Sequence, residues 1–323
     1  MVKRTRAFIQ AILACWGKDN ATQLAAAVAF FAALSLAPLV IIAVAIAGFV
    51  FGEETARAEL VAQAQEVIGS AGAEVIGTVL EQGADPGQGM LALVIGIGGL
   101  FFTASNIFVQ LQTAFNRIWD VAPSPKSGVR SAIIKRVSAL LKVIGAGLLF
   151  VTILLLGAAA SMLRTLFSEQ FPGTPLVWSS VDFVLSVALF TLIFALIFKV
   201  IPQVAIRWHD VWLGALVTSL LFTIGKTLLA LYLGGNALEN MYGAAGSLLV
   251  LLIWIFYTTQ VVFVGAQFTQ VYARVRGHDI RPADGAVPLA EAQRVQHEKI
   301  DEQIALARGE RPSAKDGVSN APT

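Results

Sequence analysis

Lys226 is the residue whose type and position most need a chemical explanation. It sits alone in the 28-residue stretch between Asp210 and Glu239, which otherwise carries no ionisable acid or base. At 1.5 Å per helical residue it lies about 24 Å beyond Asp210, in the outer half of a bilayer if that stretch spans one. A charge at mid-membrane costs at least ~2.5–3.5 kcal/mol. Three readings stay open. The ammonium snorkels to the outer surface, pairs with Asp182 or Glu239, or binds an anionic head group or substrate. A second polar set is Ser105, Asn106, Gln110, Gln112, Thr113 and Asn116, at the end of another charge-free stretch. Gln110, Thr113 and Asn116 share a helical face, with Asn106 one turn above Gln110. In lipid such a stripe must face protein or water. It either bonds between helices or lines a polar cavity. Gln260 and Gln267, seven apart, offer the opposite wall. Asn106, Gln110, Lys226 and Gln267 therefore form the candidate polar path.

Bond-making chemistry finds no such support. Gly225-Lys226-Thr227 imitates the end of a phosphate-binding loop, but Leu220 stands where the first glycine is required. His209, His278 and His297 are scattered, and Cys15 is the one cysteine, so no metal set emerges. The Gly-x-Ser-x-Gly elbow is absent. The expectation is a non-enzyme with no cofactor and no metal.

The elements that must position these residues follow from composition. The 323 residues are 56% hydrophobic and 14% charged, and mean hydropathy is +0.73. A soluble domain is ~45–50% apolar and ~25% charged. Disorder and a disulfide scaffold are excluded as well, and a net charge of +2 makes no case for nucleic acid. What fits is an all-α polytopic membrane protein, a bundle of six transmembrane helices with a helical outer loop. A crossing takes ~20 mostly apolar residues. The spans fall at about 24–51, 90–114, 138–163, 180–201, 211–235 and 246–273, within a membrane domain 21–273.

Lys and Arg set the direction. Nineteen fall in the N-terminal segment, the second and fourth loops and the tail, against Arg57 and Arg164 on the other side. Both termini are expected in the cytoplasm, with the chain in a bacterial inner membrane. Trp16, Trp119, Trp208 and Trp212 fall near the inner boundary, as an aromatic belt would. Residues 1–20 read as an interfacial helix rather than a signal peptide, since Phe8–Cys15 is too short and Gln10 interrupts it.

The outer loop 52–89 carries seven acids against Arg57. Leu60, Val61, Ala64, Val67, Ile68 and Ala71, then Val75, Ile76, Val79 and Leu80, recur at helical spacing. Two short amphipathic helices are expected, broken at Gly69–Gly72. They are either a solvated cap or a docking site for an envelope partner. In the first span Ala25, Ala29, Ala33 and Ala37 form a ladder that admits a close neighbour. Pro38 removes a backbone bond beyond it and is the candidate hinge. The tail 274–323 has eight bases and eight acids. A polar helix is expected over 288–308 and disorder from Gly309. Arg117-Ile118-Trp119-Asp120-Val121 matches Arg207-Trp208-His209-Asp210-Val211, without establishing an inverted repeat.

The run Tyr242-Gly243-Ala244-Ala245-Gly246-Ser247-Leu248, followed by Trp254-Ile255-Phe256-Tyr257 and Gly265-Ala266-Gln267, resembles the signature of the YihY/BrkB family of bacterial inner-membrane proteins. Ile201-Pro202 before Trp208, Asp210 and Gly214-Ala215, then Lys226 and Tyr232, extend the likeness. So does Ala29-Phe30-Phe31 with Leu34-Ser35-Leu36-Ala37-Pro38. It covers about residues 10–275, and its marker residues are Tyr242, Gly243, Gly246, Ser247 and Trp254. The resemblance implies six helices with cytoplasmic termini. It also implies a link to serum resistance and envelope lipid or lipopolysaccharide export. The label "ribonuclease BN" once attached to the family does not carry over, because a metal-dependent nuclease needs clustered ligands. Gln267 departs from the family's usual Gly-Ala-Glu, which puts any ion-carrying role of that acid in doubt here. The expected function is a transporter or flippase-like protein for an anionic lipid or envelope precursor. The alternative is a scaffold recruiting partners through the acidic loop. Expected partners are membrane lipids, and a second copy or an envelope protein; nucleic acid is not among them.

Overall fold

Among the described residues, the long apolar stretches free of charge are helical. The computed structural model describes residues 2–82, 106–124, 145, 175–233, 244–278, 280–283 and 285–307. In order these form α1 (Val2–Asp19), α2 (Ala21–Phe51), α3 (Glu53–Ile68), α4 (Ser70–Gln82), α5 (106–118), β1 (Val121–Pro123), α6 (Pro175–Val200), β2 (Val204–Ala205), α7 (Trp208–Leu233), α8 (Ala244–Val275), β3 (Arg281–Pro282), β4 (Ala286–Pro288) and α9 (Leu289–Ala307). The protein is a helical membrane protein. Phe183–Val200, Trp208–Leu229 and Gly246–Val275 are each long and apolar enough to cross a bilayer, and the bent pair Thr5–Asp19 and Ala21–Leu36 makes a fourth if it is one span. The expected span 138–163, apart from Gly145, and the first part of 90–114 lie outside the described residues. On α6 and α7, Val184, Ile224 and Leu228 are more than half exposed, as side chains facing lipid would be.

The chain bends by 60° between α1 and α2. Asn20 makes the break by adopting a left-handed backbone, φ 53°, a conformation asparagine tolerates better than most residues. Trp16 Nε1 donates to Thr22 Oγ1 across it at 3.2 Å. Through Pro38, by contrast, α2 continues as one helix. The Pro38 side chain, and with it the hinge expectation, lies outside the described residues. Of the alanine ladder, Ala25 and Ala29 are buried and Ala33 is half-buried.

α3 and α4 are two short helices, broken at Gly69 with φ 87°. Ala56, Leu60, Ala64, Ala73, Ile76 and Leu80 bury one face against Val40, Val44 and Ala47 of α2. Glu53, Glu54, Glu74 and Glu81 stay exposed on the other. Solvating carboxylates while burying small apolar residues is what their helical spacing dictates.

The closest packing joins α7 to α8. A Cβ built on Gly214 would lie 1.8 Å from Thr269 Oγ1, and one on Gly265 would lie 1.8 Å from Thr218 Oγ1. Each threonine hydroxyl donates to the carbonyl one turn back, Thr218 to Gly214 and Thr269 to Gly265, both at 2.7 Å. The contact is thus reciprocal. Missing side chains let the backbones approach, and the hydroxyls are satisfied within their own helices. Phe115 anchors the core beside it, edge-on to Phe198 and Phe263 at 5.9 Å each.

At the end of the bundle rich in basic residues, two small antiparallel pairings tie the tail to the inter-helix turns. β1 pairs with β4 and β2 with β3. Gly277, at φ 71°, ends α8 and turns the chain into this return. Trp119 corrects the aromatic-belt expectation. It is 1% exposed and belongs to the core rather than to a lipid interface, while Trp208 and Trp212 are about half exposed. Phe115, Ile118 and Trp119 share one buried cluster with helix residues such as Phe198 and Phe263 and with Val121, Val204 and Ile206 of the cap.

Candidate functional site

Lys226 is half-buried on α7. Its ammonium lies 5.8 Å from the centre of the Phe190 ring on α6, within reach of a cation–π attraction. The preceding residue explains why it faces that way. A Cβ on Gly225 would lie 1.3 Å from the Tyr257 hydroxyl, so that face of α7 is closed by α8 and Lys226 occupies the adjoining face. Phe190 in turn packs on Phe222 at 4.8 Å, and Phe222 meets Trp254 at 6.2 Å. Among the described residues the Lys226 cation therefore meets an aromatic ring and no carboxylate. Glu239 and the side chain of Asp182, the two partners weighed from sequence, lie outside the described residues.

Gln267 lies elsewhere. The contacts Gly214–Thr269, Thr218–Gly265 and Gly225–Tyr257 set the antiparallel register of α7 and α8. On that register Gln267 is about ten residues from the Lys226 level, or ~15 Å along the axis. It is fully buried at the basic end, where its Nε2 donates to Asp19 Oδ2 at 3.4 Å. Among the described residues its Oε1 has no hydrogen-bond partner. Asn106 and Gln110 are half-buried on α5. The rest of their stripe divides. Thr113 turns outward and bonds back to Val109. Asn116 exchanges two bonds with Gln203, at 3.0 and 2.9 Å, and Gln112 donates to the Ile201 carbonyl at 3.1 Å. The lower part of the stripe thus joins α5 to the turn after α6. Of the marker residues, Tyr242 and Gly243 lie outside the described residues. Gly246 is buried, Ser247 is half-buried, and both stand in the first turn of α8.

The basic end gathers polar groups that sequence reasoning did not single out. Asp120 accepts from Lys18 at 2.6 Å and from Arg274 at 2.8 Å, and its own carbonyl accepts the Leu289 N–H at 2.9 Å. One aspartate therefore clamps α1, α8 and the start of α9. Burial pushes its carboxyl up, and the Lys18 and Arg274 bonds and charges outweigh that and hold it below the usual carboxylate range. Asp210, at the start of α7 and 1% exposed, meets His278 Nδ1 at 2.8 Å. Gln270, buried on α8, donates to the Ile118 carbonyl. Trp119, Asp120, Arg274, His278, Ile280 and Pro288 line a cavity of about 370 Å³. Asp120 and Arg274 pair across its wall, while Trp119 Nε1 has no hydrogen-bond partner among the described residues. The sequence did hold a signal. Arg117-x-x-Asp120-Val121 and Arg207-x-x-Asp210-Val211 share one spacing, and each aspartate grips the end of α8 or the turn beyond it. Among the described residues no three His, Cys, Asp or Glu side chains gather as a metal site would require.

Residues 12–288 match the family described as virulence factor BrkB. The chain is 30% identical over 261 residues to a UPF0761 membrane protein of Chromobacterium violaceum, covering 79% of this chain and 59% of that one. It is 27% identical over 281 residues to a UPF0761 membrane protein of Rhodospirillum centenum, covering 86% and 60%. It is 28% identical over 207 residues to the UPF0761 membrane protein YihY of Escherichia fergusonii, covering 63% and 66%. The chain thus spans about three fifths of the length of the first two. No solved structure matches it.

Proposed function

The chain belongs to the virulence factor BrkB family of membrane proteins, and on that premise we propose that it carries an anionic lipid or envelope precursor across a bacterial inner membrane, without enzymatic chemistry. The observation that carries this reading is the setting of Lys226. A half-buried cation in an apolar helix, held against the Phe190 ring, is costly to keep unless something negative visits it. A phosphate or carboxylate on an amphiphile fits, because its tails stay in the hydrocarbon beside the exposed apolar side chains of α6 and α7 while its head group reaches Lys226. Asn106 and Gln110 supply polar wall on α5. In this reading the basic end faces the cytoplasm and the acidic α3–α4 pair faces the periplasm, as the distribution of Lys and Arg favours. The energy comes from a gradient, a partner or lipid asymmetry, since the sequence carries no nucleotide motif.

A second reading has its own support. Glu53, Glu54, Glu74 and Glu81 are exposed along α3 and α4, a surface able to recruit a basic envelope protein without any transport. Purified protein in liposomes separates the two. Transport requires a labelled anionic lipid to cross faster than in empty vesicles. Equal rates, together with crosslinking from 53–82 to an envelope protein, leave the scaffold.

A further inference from the structure

We propose that Asp19 is a proton-binding site of the bundle, a carboxyl enclosed at the α1–α2 break against the amide of Gln267. Four observations converge on it. Asp19 is 3% exposed although it stands at the end of a helix. Its side-chain hydrogen-bond partner among the described residues is a neutral amide, Gln267 Nε2, at 3.4 Å. That amide is itself fully buried, and among the described residues its Oε1 has no donor. The chain is broken and bent by 60° at the next residue, so Asp19 stands at the corner between α1 and α2.

The cations that could hold Asp19 ionised are committed elsewhere. Lys18, its neighbour on α1, bonds to Asp120, and so does Arg274 from α8. Arg117 on α5 is exposed and acts only at a distance, and Asp120 adds a like charge. From α8 the group within hydrogen-bond distance is Gln267, which is uncharged. The positive end of the α2 dipole favours the anion. Burial nevertheless dominates and pushes the Asp19 carboxyl up, with Lys18, Gln267 and Arg117 offsetting part of it. A neutral acid also answers the orphaned amide oxygen. A carboxylic acid and a primary amide pair at two points, N–H to C=O and O–H to C=O. Only the protonated acid has the O–H that Gln267 Oε1 lacks.

The proton binds and leaves as a simple acid–base step. The Asp19 O–H bond breaks, its electron pair stays on oxygen, and water takes the proton. In the transport reading above this proton is the natural coupling ion. The site itself stands without that reading, because its occupancy is measured with no substrate present.

The test is infrared spectroscopy of the whole protein in lipid nanodiscs at neutral pH, comparing wild type with Asp19→Asn and Gln267→Leu. The expected result is a carbonyl band of a protonated carboxylic acid in wild type that is lost in Asp19→Asn. In Gln267→Leu the band moves to higher frequency as its hydrogen bond is lost. No protonated-acid band in wild type, or one that survives in Asp19→Asn, overturns the proposal. Should Asp19→Asn fail to fold, Gln267→Leu decides. A wild-type band at neutral pH that shifts in Gln267→Leu supports the site, and a band that does not shift overturns it.

Discussion

Thr218 packs directly over Gly265, with its hydroxyl 1.8 Å from where a glycine Cβ would stand, and Gly214 receives Thr269 in the same way. Two helices of opposite direction are thereby locked in one register. That register separates the Lys226 level from the Gln267 level.

Adding a methyl group at this contact must push the helices apart, because each threonine is buried and bonded to its own helix. Gly265→Ala and Gly214→Ala should each lower stability by about 1–3 kcal/mol, the usual cost of overpacking. Gly17→Ala, which meets nothing within 4 Å, should change stability far less. Denaturant unfolding in detergent measures all three.

Asp120 makes the cap sensitive to acid. Its carboxyl lies below the usual range in the folded protein, so its stabilising contribution is complete above the unfolded value of ~3.9 and is lost as the pH falls through the folded value. Limited proteolysis should therefore find the tail after Gly277 released earlier on acidification than the rest of the bundle. In Asp120→Asn that early release should already be present at neutral pH.

Asp210 is enclosed and His278 is its close partner at 2.8 Å. His278→Ala leaves a buried carboxylate short of a donor and should cost about 1–3 kcal/mol. Adding Asp210→Asn to that variant should recover part of the loss, because an amide tolerates burial better than an unpaired carboxylate. A double-mutant cycle on unfolding free energies gives the coupling.

Local signals in the sequence carried the architecture. Leu60, Ala64, Ile76 and Leu80 at helical spacing, with Gly69 between them, foretold α3 and α4 and the break joining them. The polar helix expected over 288–308 is α9, Leu289–Ala307. Apolar windows foretold α6, α7 and α8 to within a few residues, since hydrocarbon thickness fixes span length. Long-range pairing was not legible. Gln267 and Asp19 are 248 positions apart, and nothing local in either residue names the other. Trp119 read as part of an aromatic belt because it falls near the expected inner boundary. It is buried in the core cluster beside Val121, whose strand pairs 121–123 with 286–288, a pairing that three residues on each side cannot announce. Lys226 was legible as an anomaly, whereas its contact with Phe190 required the packing of α6 on α7.

The central claim is that the Lys226 charge handles an anionic head group inside the membrane. Translocation of a labelled anionic lipid and of a zwitterionic one should be compared in liposomes carrying wild type, Lys226→Arg and Lys226→Ala. The account expects wild type and Lys226→Arg to move the anionic lipid faster than the zwitterionic one, and Lys226→Ala to lose at least tenfold of that preference, about 1.4 kcal/mol. Equal rates for the two lipids in wild type, or a preference unchanged in Lys226→Ala, would contradict it.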